Sequence, residues 1–276
     1  MSIIRKLVLP FAISASMASA GYAQSGLTPT APEPYSPAVG QTGKDVVWVP
    51  TPQALVDRML DMAGLTEADY VIDLGSGDGR TVITAAQRGA RAKGLEYNPE
   101  MVTLSRRNAK AAGVTEKASF EQADIFLSDF TSASLITLFL LPDLNLRLRP
   151  KLLEMKPGTR VVSNTFNMDD WEPDDNIEAG RDCVSYCRAY KWIIPARAEG
   201  EWRLGADTLR LAQKYQMLSG TLMSGNATLP ITQAKLNGAE ITFVAGDRRY
   251  TGQVAEATMT GTIEGGGAWE ASRSSR

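Results

Sequence analysis

The apolar positions of this chain change rhythm twice. Residues 24–46 have no sustained period: Pro29, Pro32, Pro34 and Pro37 stand among Ser, Thr and Gly. Such a composition extends and cannot bury a core, so 24–46 is expected to be a linker. A helical period begins after it. Thr51 offers an N-cap, Pro52 suits the first helical position, and Leu55, Val56, Met59, Leu60 and Ala63 fall on one face. Continuous apolar runs then alternate with helical ones. Strands are predicted at 70–74, 92–96, 118–122, 135–140 and 160–164, and helices at 81–87, 99–112 and 142–155, the last split by Pro150. This order predicts right-handed βαβ units and a mostly parallel, doubly wound α/β sheet.

From Trp202 the period shortens to two. Leu209, Leu211, Gln213, Tyr215 and Met217 alternate with Arg210, Ala212, Lys214 and Gln216, which reads as one strand. Asn237-Gly238 is a hairpin signal, and Gly246-Asp247 marks a further turn. An α/β domain at 47–198 is therefore expected to precede a small antiparallel β unit at 199–276, ending in a flexible tail from Gly265-Gly266-Gly267.

The first residues add an address. Arg5 and Lys6 precede an apolar run at 7–20, with small residues at Ala18, Ala20, Gly21 and Ala23. This predicts a signal peptide over 1–23, cleaved near Ala23, and an exported, periplasmic protein. The run is shorter than the roughly 20 apolar residues of a membrane span, so no transmembrane span is expected after cleavage. An oxidising compartment would let Cys183 and Cys187 pair across a short hairpin; two unpaired thiols are the alternative.

Composition narrows the chemistry. The 276 residues include no histidine, which excludes Ser-His-Asp, Cys-His and His-metal mechanisms. Two cysteines cannot fill a tetrahedral zinc site, so no metal is expected. A formal net charge of −2 and a pI of about 5.4 disfavour a nucleic-acid partner.

The candidate site lies at the strand ends. Val71-Ile72-Asp73-Leu74-Gly75-Ser76-Gly77-Asp78-Gly79-Arg80 follows an apolar strand and precedes a helix, where open α/β sheets bind ligands. Gly75, Ser76 and Gly77 would let the backbone approach a cofactor closely. Asp73 and Asp78 crowd the place of a pyrophosphate and suit a cationic sulfonium with an ammonium group instead. Glu96, beside Tyr97, ends the second strand, where a carboxylate accepts from the hydroxyls of a ribose. Asp124 ends the third strand, placed to accept from an adenine amino group while Ile125 packs on the ring.

These three elements resemble motif I and its successors in class I S-adenosylmethionine-dependent methyltransferases. Val49-Pro50-Thr51-Pro52, Leu140-Leu141-Pro142-Asp143-Leu144-Asn145 and Lys156-Pro157-Gly158-Thr159-Arg160 are further similar to the ATP synthase c-subunit lysine N-methyltransferase family and its exported bacterial relatives. The resemblance implies a Rossmann-like seven-stranded sheet, S-adenosylmethionine as cofactor, and methylation of a protein lysine or a small-molecule amine. It also implies that Trp48 and Thr51 cover the methionine end of the cofactor and that Leu141, Pro142 and Asn145 meet the acceptor. Residues 167–171 are a further candidate for the substrate mouth. Methyl transfer from a sulfonium needs positioning more than a general base, so the lack of histidine is compatible with it. An exported nucleoside-cofactor-binding protein without catalysis and an RNA methyltransferase are the competing functions.

Overall fold

A computed structural model describes Ser2, residues 35–180 and residues 183–274. The expected signal peptide, and the expected linker as far as residue 34, lie outside the described residues. The α/β sheet and the β unit after it belong together to one compact unit, Tyr35–Arg276.

The first part of this unit is a seven-stranded sheet in the order β3-β2-β1-β4-β5-β7-β6. The strands are β1 (Tyr70–Leu74), β2 (Arg91–Glu96), β3 (Ala118–Gln122), β4 (Leu135–Leu138), β5 (Arg160–Asn164), β6 (Asp175–Glu178) and β7 (Arg188–Ile193). The first five run parallel, while β6 and β7 form an antiparallel edge beside β5. Helices α1 (Gln53–Met62), α2 (Arg80–Gln87), α3 (Pro99–Ala111) and α4 (Pro142–Leu152) cover the sheet.

Period two explains the two apolar layers. Val71, Leu135 and Val162 pack with α1, α2 and α3 on one face. Their neighbours Ile72, Ile136 and Val161 pack with Leu148 and Leu152 of α4, Trp171 and Trp192 on the other. Strands buried on both faces read as continuous apolar runs, as the sequence does here.

The second part is a closed antiparallel barrel of eight strands: β8 (Gly200–Leu204), β9 (Asp207–Lys214), β10 (Met217–Ser224), β11 (Ala227–Asn237), β12 (Glu240–Ala245), β13 (Arg248–Val254), β14 (Thr258–Ile263) and β15 (Ala268–Arg273). Pairing of Ser272 with Arg203 and of Arg273 with Trp202 closes it. Its interior holds Trp202, Leu209, Phe243, Tyr250 and Trp269, with Phe243 and Tyr250 stacked 4.6 Å apart. Strand glycines serve this packing: a Cβ on Gly252 would stand 2.6 Å from the Trp269 ring.

Several local expectations need correction. Thr51 is not the cap of α1, which starts after Pro52; its hydroxyl accepts from Asn164 Nδ2 at 3.1 Å instead. Pro150 leaves α4 unbroken, since it sits in the last turn between the buried Leu148 and Leu152. Gly265-Gly266-Gly267 is a turn, followed by the strand that closes the barrel.

The period-two run from Leu209 to Met217 is also not one strand. Tyr215 and Gln216 make a two-residue hairpin turn, Tyr215 with φ 55°. The turn docks on the sheet domain. Trp171 Nε1 donates to Gln216 Oε1 at 2.9 Å, Gln216 Nε2 donates to the Glu172 carbonyl at 2.7 Å, and the Trp171 and Tyr215 rings stack 5.5 Å apart. Tyr215 donates to Asp170, which also pairs with Lys214 and Arg149; these partners hold its carboxyl down at about 2. Residues 167–171 are therefore an anchor for the barrel: Met168 and Trp171 are fully buried.

Candidate active site

Strand order reverses between β1 and β4, so a crevice opens beyond their carboxyl ends. The turn after β1 lines it. Gly75, Gly77 and Gly79 have φ of 82°, 53° and 84°, a region that side chains resist. At Gly77 space is also short, since a Cβ would lie 2.8 Å from Trp48 Nε1.

Asp73 forms the floor. The β1–β4 register sets it beside Thr137, whose hydroxyl donates to Asp73 Oδ1 at 2.6 Å. Burial pushes the Asp73 carboxyl up to about 7; Glu96 and Asp78 push the same way, against the Thr137 hydroxyl. Asp73 is thus a carboxylate short of a cation. Asp78 is not: Arg80 grips it, with Nε at 3.0 Å and Nη2 at 2.6 Å from its oxygens. Arg80 Nη1 also donates to the Thr51 carbonyl at 2.9 Å, which ties the turn to the segment before α1.

Glu96 is oriented by backbone. Its Oε2 accepts from Gly77 N and its Oε1 from Asn98 N, each at 2.9 Å. Both oxygens keep lone pairs for a vicinal diol. Asn98 in turn caps α3, its Oδ1 accepting from Glu100 N at 2.8 Å, and Pro99 begins the helix. Asp124 accepts from Lys44 Nζ at 2.7 Å and from Phe126 N at 2.9 Å, and Lys44 first and Phe126 next hold its carboxyl below the usual range. Lys44 also stands 4.4 Å over the half-exposed Tyr97 ring.

Of the expected cofactor residues, Thr51, Asp73, Gly75, Ser76, Gly77, Asp78, Glu96, Tyr97, Asp124 and Ile125 all line one cleft. The Ser76 hydroxyl is turned away, buried against Gly94 without a partner among the described residues. The expected acceptor residues do not line the cleft. Leu141 is exposed at the N-cap of α4 with Pro142 behind it, and Asn145 is fully buried. Asn145 Nδ2 donates to the carbonyls of Phe166 and Asn167, each at 3.2 Å, so it holds the turn after β5. Phe139, Leu140 and Leu144 line the cleft in their place.

Sequence reasoning also missed the first part of a strap, of which it had placed only Trp48 over the cofactor. Residues 41–50 line the cleft, although 41–46 read as linker. The strap folds on itself: Trp48 N donates to the Gln41 carbonyl and Gly43 N to the Val46 carbonyl, at 2.8 and 2.9 Å. The apolar run Val46-Val47-Trp48-Val49, directly after the prolines, was the available signal. No cluster of metal-binding side chains occurs among the described residues.

The acids suit a nucleoside carrying positive charge: Glu96 for the ribose hydroxyls, Asp124 for the adenine amino group, and Asp73 for the cation. Comparison with known proteins agrees. The model of the ANTKMT methyltransferase domain matches residues 73–175. A protein-lysine N-methyltransferase of Saccharolobus islandicus is 43% identical over 136 residues, 48% of this chain and 84% of that protein. The chain belongs to the S-adenosylmethionine-dependent protein-lysine N-methyltransferase family. The ATP synthase c-subunit lysine N-methyltransferase of Mus musculus is 40% identical over 115 residues, 41% of this chain, and the chain spans about half of its length, 47%. A crystal structure described as an RNA methyltransferase of Salinibacter ruber, in complex with S-adenosyl-L-homocysteine, is 46% identical. That match covers 54% of this chain and 95% of the other, with a TM-score of 0.51. The family confirms the class I fold and the cofactor, and sets aside the reading as a binding protein without catalysis. The matched domain model stops at residue 175, so the barrel lies outside it.

Proposed function

We propose that this methyltransferase acts on the ε-amino group of a protein lysine in an exported, periplasmic setting. The buried Asp73 at the floor of the cleft, placed for the charge of the cofactor, carries the methyl-transfer part of the reading. It is a carboxylate with no cationic partner among the described residues, beside an apolar wall of Phe139, Leu140 and Leu144. When bound, S-adenosylmethionine supplies an electrophilic methyl group on a sulfonium.

The chain's own residues do the rest. Asp73 balances positive charge, Glu96 and Asp124 orient the nucleoside, and the apolar wall excludes water. An amine drawn into that wall loses hydration, which favours its neutral, nucleophilic form. No general base is needed beyond solvent, in keeping with a chain without histidine. The Saccharolobus islandicus and Mus musculus relatives, named for lysine methylation, support lysine as the acceptor. Arg5, Lys6 and the apolar run after them support export, as does the bridge between Cys183 and Cys187.

Methyl-labelled cofactor incubated with the mature protein and fractionated periplasmic and envelope material tests the proposal. Label is expected in protein, on lysine after hydrolysis, and absent with Glu96→Ala. Label in RNA instead would support the reading suggested by the Salinibacter ruber relative and overturn the lysine one.

A further inference from the structure

A line of aromatic rings leads from the cleft, beginning at Phe139 after β4. Phe139, directly after β4, lines the cleft. Its ring stacks with Phe166, centroids 6.2 Å apart, and meets Tyr186 edge-on at 5.2 Å. Phe166 follows β5 and Tyr186 precedes β7, so three segments converge beyond the same ends of neighbouring strands. Phe139 and Phe166 are half-buried, while Tyr186 is 41% exposed. The line therefore runs from the cleft to the surface.

The backbone around these rings is held in unusual conformations. Tyr186 has φ 55°, and Thr165, next to Phe166, has φ 62° although it is β-branched. Such conformations persist only where the surroundings enforce them, and they concentrate at functional sites. For Tyr186 the enforcing element is visible: the Cys183–Cys187 bridge closes the loop that carries it. Both cysteines pack against the core layer under α1 and α2. A hydrophobic Val184 in the same loop is 98% exposed, so the loop offers apolar surface outward.

We propose that Phe139, Phe166 and Tyr186 form the passage through which an acceptor lysine enters, with the Cys183–Cys187 bridge positioning Tyr186 at its mouth. The inference rests on the lysine reading above. A lysine side chain is an unbranched apolar stem with a cation at its tip. Aromatic faces bind both, the stem by contact and the ammonium through the ring quadrupole. Tyr186 meets the ammonium while it is still hydrated. Its proton passes to solvent there, and further in, at Phe139, the neutral amine loses its remaining water before it reaches the reacting position.

The test uses n-butylammonium as the probe, with the whole mature protein saturated with S-adenosylhomocysteine. Aromatic resonances of protein labelled in Phe and Tyr are followed by NMR. Phe139, Phe166 and Tyr186 are expected to shift together in the wild type. Tyr186→Ala should weaken the titration about threefold, the size of an exposed cation–π contact, and Tyr186→Phe should retain it. Cys183→Ser with Cys187→Ser should fall in the direction of Tyr186→Ala. S-adenosylhomocysteine affinity, measured by calorimetry, should be the same in all variants and serves as the control for folding. Failure of the wild type to bind S-adenosylhomocysteine overturns the reading on which the passage rests. Intact binding with unresponsive rings, or a Tyr186→Ala titration equal to wild type, overturns the passage alone.

Discussion

The sheet domain and the barrel are built on buried tryptophans alike, yet they treat their polar groups in opposite ways. In the sheet, strand ends open at the reversal between β1 and β4 and leave the Asp73 carboxyl buried without a cation. In the barrel every strand pairs on both sides, and among the described residues the buried side-chain atoms without a partner, Ser76 Oγ and Asn145 Oδ1, both lie in the sheet domain. A closed barrel has no free edges and satisfies itself. An open sheet with a reversal cannot, and the unsatisfied place is where a ligand fits. The two parts meet at the turn Tyr215-Gln216, set against Trp171.

Trp171→Ala strikes the joint between them and should have the largest effect. Loss of a fully buried tryptophan is expected to destabilise by about 4 kcal/mol. If the barrel and the sheet unfold as one unit, urea titrations followed by barrel and sheet probes shift together. Separate transitions would show two independent bodies and break the comparison. Glu96→Ala confines its damage to the open end: losing a charged acceptor of two ribose bonds should weaken S-adenosylmethionine binding about 100-fold by calorimetry. A loss of equal size in a barrel variant would contradict the division of labour.

Gln216→Ala leaves Trp171 Nε1 and the Glu172 carbonyl unpaired in the interface, and should cost about 2 kcal/mol in urea unfolding. Cofactor affinity is expected to stay the same, because Gln216 touches nothing in the cleft.

The pH dependence follows from Asp73. Its folded value, about 7, lies above the ordinary 3.8, so the protonated form favours folding. The stability this group contributes is full below the ordinary value and lost as pH rises through about 7. Binding of a cation favours the ionised form, so affinity should rise with pH up to about 7 and then level off. Asp73→Asn should flatten both profiles; calorimetry and unfolding as a function of pH measure them. Lys44→Ala, the mildest change, removes a half-exposed pair. It should leave the unfolding midpoint unchanged and raise cofactor affinity, since Asp124 is freed; an unchanged affinity would show that Lys44 yields to the cofactor without cost.

How much could be read in advance depended on the range of the interaction. Glycines at 75, 77 and 79, a strand before and a helix after them, and acids at 96 and 124 are local features, each tied to a strand end by period and capping. The sequence by itself therefore determined the α/β order, the cofactor turn and the existence of a β unit. Tertiary structure alone decided the rest. The strap at 41–50 shows only the apolar run Val46-Val47-Trp48-Val49 locally, and its place over the cleft is set by the distant Asp124, which holds Lys44. Tyr215 looked like a strand residue because its alternation continued through the turn, and its φ of 55° is maintained by Trp171 and Asp170 from another domain. Asn145 carries the polarity of a binding residue, but packing turns it inward to hold the carbonyls of Phe166 and Asn167. Local period follows from the backbone geometry of neighbouring residues, whereas burial and charge follow from whichever distant segments happen to close over them.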